Sequence, residues 1–307
     1  MTLVAGDKLL NAAQKGRYAV GAFNINNLEI LQAVVRAAEK QKSPAILQTS
    51  EGAIKYAGLR QLQLMITEAA KESKIPFALH LDHGQDLKLI KECIDIGYTS
   101  IMYDGSHLPF EQNIKNTKQV VQWAHKKHIS VEAELGTIGG AEDLVSAREI
   151  LYTDPDKAVE FVKRTGCDSL AIAIGTSHGA YKFAGAAKLD IGRLHVIREL
   201  MDIPLVLHGA SGVPQWLVEK ATRYGACLGE PEGVPEDQIV RAIRHGICKI
   251  NTDTDIRLAF DAGVREFLAN HCGEFDPRHI LGAARDLMQK VIEHRMELFG
   301  SSNKARQ

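Results

Sequence analysis

Short apolar runs alternate with amphipathic stretches along almost the whole chain. The runs are YAVGAFNI (18–25), PAILQTS (44–50), PFALHLDH (76–83), SIMYDGS (100–106), SVEAELG (130–136), SLAIAIG (169–175), PLVLHGAS (204–211) and ICKINTDT (247–254). Runs of this length, mostly rich in Leu, Ile, Val and Ala, suit strands buried on both faces. Between them, LEILQAVVRAAEKQ, RQLQLMITEAAKE and FEQNIKNTKQVVQWAHKK space their apolar residues by three and four, the helical period. Eight such units in about 250 residues predict an α/β fold, a (β/α)8 TIM barrel. A doubly wound open sheet is the competitor, but its six or so strands leave segments over, and no GxGxxG follows the first run. The tail PRHILGAARDLMQKVIEHRMELFG predicts one or two additional C-terminal helices. No linker or low-complexity stretch divides the chain, so residues 1–307 are expected to form a single domain.

Barrels of this kind place their chemistry at the C-terminal ends of the strands. Those ends carry Asn24, Gln48 to Glu51, Asp82 and His83, Asp104 to His107, Glu132 and Glu134, Thr176 to His178, His208 to Ser211, and Asn251 to Asp255. The opposite ends carry mostly Pro, Ser and Gly, which suit turns. Three of the polar ends are histidines followed at once by glycine: His83, His178 and His208. A histidine at a strand end is rigidly held, and the glycine leaves room for a ligand to approach the backbone. Three imidazoles from distant segments, converging on one ion with a position left open, would make a catalytic zinc site. His80, His125, His128, His195, His245, His271, His279 and His294 are assigned no role.

Asp82 precedes the first of these ligands. It reads as a cap for the helix beginning near Asp86, as a partner holding a ligand, or as a carboxylate placed to move a proton. Asp104 and Glu134 are strand-end carboxylates that need partners when buried, which points to a second or alternative metal position. GTIGGAEDLVSA (136–147) is a glycine-hinged loop from which Glu142 could close over substrate as a base. Glycine-rich turns at 175–179 and 209–212 expose N–H groups to an anion, and NTDTD (251–255) precedes a helix N-terminus. Together these point to a phosphorylated substrate.

Composition narrows the partners. Hydrophobic residues make up 45% and charged residues 24%, with a net charge of -1, which argues against broad binding to nucleic acid or membrane. Five cysteines without a CxxC pair suit reduced thiols in a cytoplasmic protein. The first residues lack a signal-peptide apolar core, and no run reaches the roughly 18 residues of a membrane span.

LHLDHG (79–84), SHLPFEQN (106–113), VEAELG (131–136), AIGTSHGAYK (173–182), LVLHGASGVP (205–214), KINTDTD (249–255) and FDPR (275–278) resemble class II fructose-1,6-bisphosphate aldolase, specifically its shorter-chain subgroup. The resemblance runs from GAFN (21–24) to GSSNK (300–304). It implies reversible cleavage of fructose 1,6-bisphosphate to dihydroxyacetone phosphate and glyceraldehyde 3-phosphate. It further implies zinc on His83, His178 and His208, a second divalent metal position at Asp104 and Glu134, Asp82 as proton donor to the C4 oxygen, and Glu142 as the mobile-loop acid/base. Gly179, Lys182, Gly209, Ala210, Ser211, Asn251, Thr252, Asp253 and Thr254 match the dihydroxyacetone phosphate site. Ser50 matches the other phosphate site, together with Arg278 from a neighbouring subunit. A monovalent cation (Na+ or K+) near Gly179 and Ser211 and a homodimer or homotetramer are implied as well. The fourth run reads MYDGSH where the family tends to have MIDASH. Tagatose-1,6-bisphosphate aldolase is the nearest alternative, but its members tend to read NVATE in place of NTDTD. A Schiff-base lysine (Lys249 or Lys182), an amidohydrolase-type hydrolase and an inactive scaffold fit the residues less well.

Overall fold

The computed structural model of the chain describes residues 3–142, 145–147, 151–178, 188–229 and 231–305, with the side chains of 139–142, 145–147 and 178 outside the description. In chain order the strands are β1 (Val20–Asn24), β2 (Ala45–Ser50), β3 (Phe77–Gly84), β4 (Ser100–Tyr103), β5 (Ser130–Leu135), β6 (Gly139–Glu142), β7 (Val145–Ala147), β8 (Ser169–Ile172), β9 (Ser177–His178), β10 (Leu205–Leu207) and β11 (Ile247–Thr252). The helices are α1 (Gly6–Gly16), α2 (Leu28–Gln41), α3 (Glu51–Ala57), α4 (Leu59–Glu72), α5 (Leu87–Ile96), α6 (Phe110–His125), α7 (Pro155–Thr165), α8 (Ile191–Leu200), α9 (Gln215–Arg223), α10 (Glu236–Arg244), α11 (Thr254–Asn270) and α12 (Pro277–Leu298).

The eight runs read from the sequence become β1, β2, β3, β4, β5, β8, β10 and β11, which close into one barrel in that order. Every neighbouring pair is parallel. The expected (β/α)8 barrel is therefore the fold, and the open-sheet alternative falls. Segments following β5 and β8 add a small sheet in the order β7-β6-β9. The stretch read as a glycine-hinged loop thus contains paired backbone. In that sheet Gly140 lies opposite His178.

Helices begin and end where local chemistry demands. Asn27 opens α2 by accepting the Ile30 N–H, and Lys42 closes it in the left-handed conformation. Between them Ile30, Leu31, Val34, Ala37 and Ala38 form the buried stripe. Asp276 and Pro277 open α12, and the tail forms this one helix. It lies so close to α11 that a Cβ on Gly263 would come within 2.7 Å of Ala284 Cα.

The barrel interior changes character along its axis. At the N-terminal end Val20, Ala22, Ile46 and Ala78 pack on Leu9, Leu10 and Ala13 of α1, a helix outside the sequence expectation, so that α1 plugs the barrel. Met102, Ala171 and Val206 form a second apolar group. Further along the strands the alternate positions become Asn24, Gln48, His80, Asp82, Glu132 and His208, all buried. The fold thus carries polar side chains at buried positions near the C-terminal ends of the strands.

The plug is tightly seated: a Cβ on Gly6 would lie 2.6 Å from Ser100 Oγ and 2.9 Å from Ser130 Oγ. Gly6→Val is expected to destabilise the fold by about 1–3 kcal/mol through overpacking. Urea unfolding measures this, and an unchanged midpoint would mean that α1 does not seal the barrel.

Candidate functional site

β3 delivers two functional side chains in succession. In a regular strand Asp82 and His83 would face opposite sides. The register of β3 against β4 shifts between Leu81 and Gly84, and His83 adopts a left-handed φ of 47°. That break turns both side chains toward the C-terminal mouth. A left-handed non-glycine residue costs about 1–3 kcal/mol. Its surroundings hold it there: His83 N–H donates to Met102 Sδ at 3.4 Å, and a Cβ on Gly84 would lie 2.8 Å from the Met102 carbonyl oxygen. The glycine after this histidine thus has a steric reason.

Side chains from β1, β2, β3, β5 and β11, and from just past the ends of β4 and β10, then converge through hydrogen bonds. Asp82 accepts from Asn24 Nδ2 at 2.9 Å, Gln48 Nε2 at 3.1 Å and Asn251 Nδ2 at 2.9 Å. His208 Nε2 lies 2.7 Å from Glu132 Oε1, and Lys249 Nζ donates to both Glu132 oxygens at 3.0 and 2.9 Å. An ion-paired carboxylate accepts, so Nε2 of His208 carries its proton and Nδ1 keeps a lone pair. Two donors meet that lone pair: Asn251 Nδ2 and His83 Nε2, each at 2.9 Å. His83 Nδ1 meanwhile lies 2.9 Å from Asp104 Oδ2. With both ring nitrogens donating, His83 is an imidazolium in this arrangement.

Electrostatics agrees with this assignment. Burial alone would lower the His83 pKa, but the Asp82 charge, the Asp104 hydrogen bond and Glu134 together push it up to about 10. Burial would raise Asp104, yet the hydrogen bond and charge of His83, with Ser106, hold it well below the usual carboxylate range. Glu134 is pushed up by burial and then by the Asp104 charge, and its Oε2 has no hydrogen-bond partner among the described residues. Burial, and after it the Lys249 charge, hold His80 well below the ordinary histidine value.

Among the described residues, two groups of ligand atoms lie close enough to share a cation: Asp82, His83 and His208, and His83, Asp104 and Glu134. Paired imidazoles, surplus buried carboxylates and an orphaned acceptor fit a divalent metal. A proton on His83 supplies the positive charge that such a cation would bring.

Beside this cluster lies the turn after β10. Gly209 has φ 60°, and a Cβ there would come within 2.6 Å of the Ser177 carbonyl oxygen, so glycine is required for the approach. Ala210 and Ser211 are buried, as are Asn251, Thr252, Asp253 and Thr254. Asp253 N–H donates to Ser211 Oγ at 3.4 Å, tying the turn to the end of β11. Ser50 caps α3 by accepting the Ala53 N–H at 3.1 Å.

The structure brings together Asp82, His83, His208, Asp104 and Glu134. The side chains of His178 and Glu142, and the whole of Gly179 and Lys182, lie outside the described residues. Arg278 is not brought to the site within this chain: it is exposed and paired with Asp276 at 2.6 Å. Asp86, not Asp82, caps α5, accepting the Lys88 N–H at 2.8 Å. Sequence reasoning assigned no role to Asn24, Gln48 and Glu132, and weighed Lys249 only as a nucleophile. Their one signal was a polar residue at or within a buried strand. In the fourth run, Gly105 spares a contact: a Cβ there would fall 2.4 Å from Asn113 Oδ1 and 2.8 Å from the Tyr103 ring. Tyr103 and Gly105 therefore fit each other, and Asp104 keeps its contact with His83. The groove of about 910 Å3 at the other end of the barrel is lined by Asp95, Lys127, His125 and Asp168, which pair among themselves.

Two outcomes follow. Glu132→Gln should weaken divalent-metal affinity by about 10–100-fold, because His208 loses the carboxylate that fixes its tautomer. Chelator competition reads this, and unchanged affinity would remove Glu132 from the site. The His83 pKa is raised from 6.5 to about 10, so its proton stabilises the metal-free fold fully below the lower value and less as pH rises through the upper one. Loading metal at about pH 8 should therefore release a proton. Calorimetric enthalpies that vary with buffer ionisation enthalpy would show it, whereas buffer-independent enthalpies would contradict it.

Comparison with known proteins places the chain in a family. Residues 4–228 and 231–304 match the model of the family "Fructose-bisphosphate aldolase class-II". The chain is 50% identical over 305 residues to a fructose-bisphosphate aldolase of Thermus caldophilus, covering 99% of this chain and 100% of that one. It is 45% identical over 310 residues to a fructose-bisphosphate aldolase of Geobacillus stearothermophilus, covering 100% of both. Among solved structures, the YdjI aldolase of Escherichia coli K12 superposes with a TM-score of 0.82 at 32% identity, covering 99% of this chain and 100% of that one. With a barrel of the right closure, a metal-competent cluster at its mouth and full-length similarity of this depth, the chain belongs to the class II fructose-bisphosphate aldolase family.

Proposed function

We infer that His83, His178 and His208 hold one zinc ion at the barrel mouth, and that the chain uses it to cleave fructose 1,6-bisphosphate reversibly into dihydroxyacetone phosphate and glyceraldehyde 3-phosphate. The family is metal-dependent and its members are lyases. The observation that carries the residue assignment is the pair His83 Nε2 and His208 Nδ1, facing each other at 2.9 Å among buried carboxylates. Bound there, zinc would supply Lewis-acid polarisation of the substrate C2 carbonyl.

The chain's own residues do the rest. In cleavage, Asp82 takes the proton from the C4 hydroxyl oxygen as the C3–C4 bond breaks, and in condensation it returns that proton. Three amide donors hold the carboxylate in place for this transfer. Glu142 exchanges the proton at the carbon released from that bond. Gly179, Lys182, Gly209 to Ser211 and Asn251 to Thr254 hold the dihydroxyacetone phosphate end, aided by the N-terminus of α11. Ser50 and the Arg278 of a neighbouring copy hold the other phosphate, within a homodimer or homotetramer. Asp104 and Glu134 offer the second divalent position, and a monovalent cation (Na+ or K+) sits near Gly179 and Ser211. Residues 1–307 act as one catalytic domain in the cytoplasm. No described helix is long and apolar enough to cross a membrane, and the net charge of -1 favours a small-molecule substrate over nucleic acid.

A Schiff-base route is disfavoured by Lys249, whose ammonium is buried and ion-paired to both oxygens of Glu132. Fructose over tagatose bisphosphate is supported by the names of the relatives.

Chelation should abolish fructose 1,6-bisphosphate cleavage in a coupled assay, and added zinc should restore it. Asp82→Asn should lower kcat by about 10²–10⁴-fold while leaving zinc bound. Activity that survives thorough chelation would overturn the metal assignment, and a higher kcat/KM on the tagatose sugar would overturn the substrate.

A further inference from the structure

The turn after β10 is held from behind by the C-terminal helix. Arg295 of α12 and Asp255 at the start of α11 are both buried, with Arg295 Nε 2.9 Å from Asp255 Oδ2. Asp255 in turn accepts from the Val213 N–H at 2.8 Å and from the Gly212 N–H at 3.3 Å. Both peptide groups directly follow Ser211. Val213 sits in the left-handed region at φ 46°, a conformation that a branched residue keeps only when its surroundings enforce it. A Cβ on Gly212 would fall 2.4 Å from an Arg295 guanidinium nitrogen, so the guanidinium lies against the turn. A second brace comes from Val234 N–H, which donates to the Ser211 carbonyl oxygen at 3.1 Å. Glu236 Oε1, 3.3 Å from Arg295, holds the other side of the guanidinium.

We propose that Arg295 is a positioning residue for phosphate: through Asp255 it fixes the Gly209–Val213 turn in the shape that receives the substrate's phosphoryl group. Arg295 touches no reacting atom. Its guanidinium neutralises the buried Asp255 carboxylate as an ion pair, and the two carboxylate oxygens anchor consecutive N–H groups, which determines where the preceding residues lie. An α12 that reads from sequence as a mere extension of the barrel thereby acts on substrate affinity. The inference rests on the reading of Gly209 to Ser211 as part of a phosphate site, and its test separates the two.

The experiment measures KM and kcat for fructose 1,6-bisphosphate, competitive inhibition by inorganic phosphate, and zinc content. The variants are Ser211→Ala, Arg295→Met, Arg295→Lys and the double variant Asp255→Asn/Arg295→Met. The double variant leaves no unpaired buried charge, so it guards against simple unfolding, and thermal melts confirm that each protein is folded. Arg295→Met and the double variant should raise KM and the phosphate inhibition constant about tenfold, with kcat within about threefold and zinc content unchanged. Arg295→Lys should recover part of the loss. Phosphate binding weakened by Ser211→Ala but unaltered in both Arg295→Met proteins would overturn the positioning role alone. A fall in kcat with KM unchanged would overturn it too. Phosphate binding unaltered by Ser211→Ala would overturn the phosphate site and the inference with it.

Discussion

The ion pair between Lys249 and Glu132 is the contact on which the site depends. Both groups are buried inside the barrel, where neither charge is tolerable alone, and removal of one partner costs about 3–5 kcal/mol. Once paired with Lys249, Glu132 acts as an acceptor toward His208. This settles which nitrogen of His208 keeps its lone pair, and that lone pair faces His83 and Asn251. From one buried contact the protonation pattern passes to the mouth of the barrel, ending at Asp82 on one side and Asp104 on the other.

This polar column needs an apolar base. Along a parallel barrel strand, alternate residues face the interior, and at the N-terminal end these positions are small or aliphatic and sealed by α1. The carboxylates, amides and imidazoles enter only toward the C-terminal ends. The left-handed break at His83 lets the adjacent Asp82 and His83 serve one site. The outer helices matter as well, since α12 reaches the turn after β10 through a buried arginine.

Much of this was legible in the sequence, for identifiable reasons. Parallel strands covered on both faces leave continuous apolar runs, so all eight were visible as segments. Their ends were overread where burial continues without pairing: Ala173 and Ile174 are buried but follow the end of β8. Of the histidines followed by glycine, His83 and His208 lie at the mouth, where Gly84 and Gly209 leave room that a Cβ would take from neighbouring backbone. The partners of those histidines were hidden by distance along the chain. Lys249 meets Glu132 across 117 positions, and Arg295 looks like an ordinary solvent-facing position of a helix until its contact with Asp255 is seen. The helix α1 is short and ends in glycines, so its periodicity was too brief to stand out.

The proposed divalent metal lies between His83 and His208. Its most direct test is a crystal structure of the zinc-loaded protein with anomalous scattering recorded on both sides of the zinc edge. The expected result is an anomalous peak within bonding distance of His83 Nε2 and His208 Nδ1, with Glu132 still hydrogen-bonded to Nε2 of His208. A peak bound elsewhere, or bound by His208 through Nε2, would contradict it.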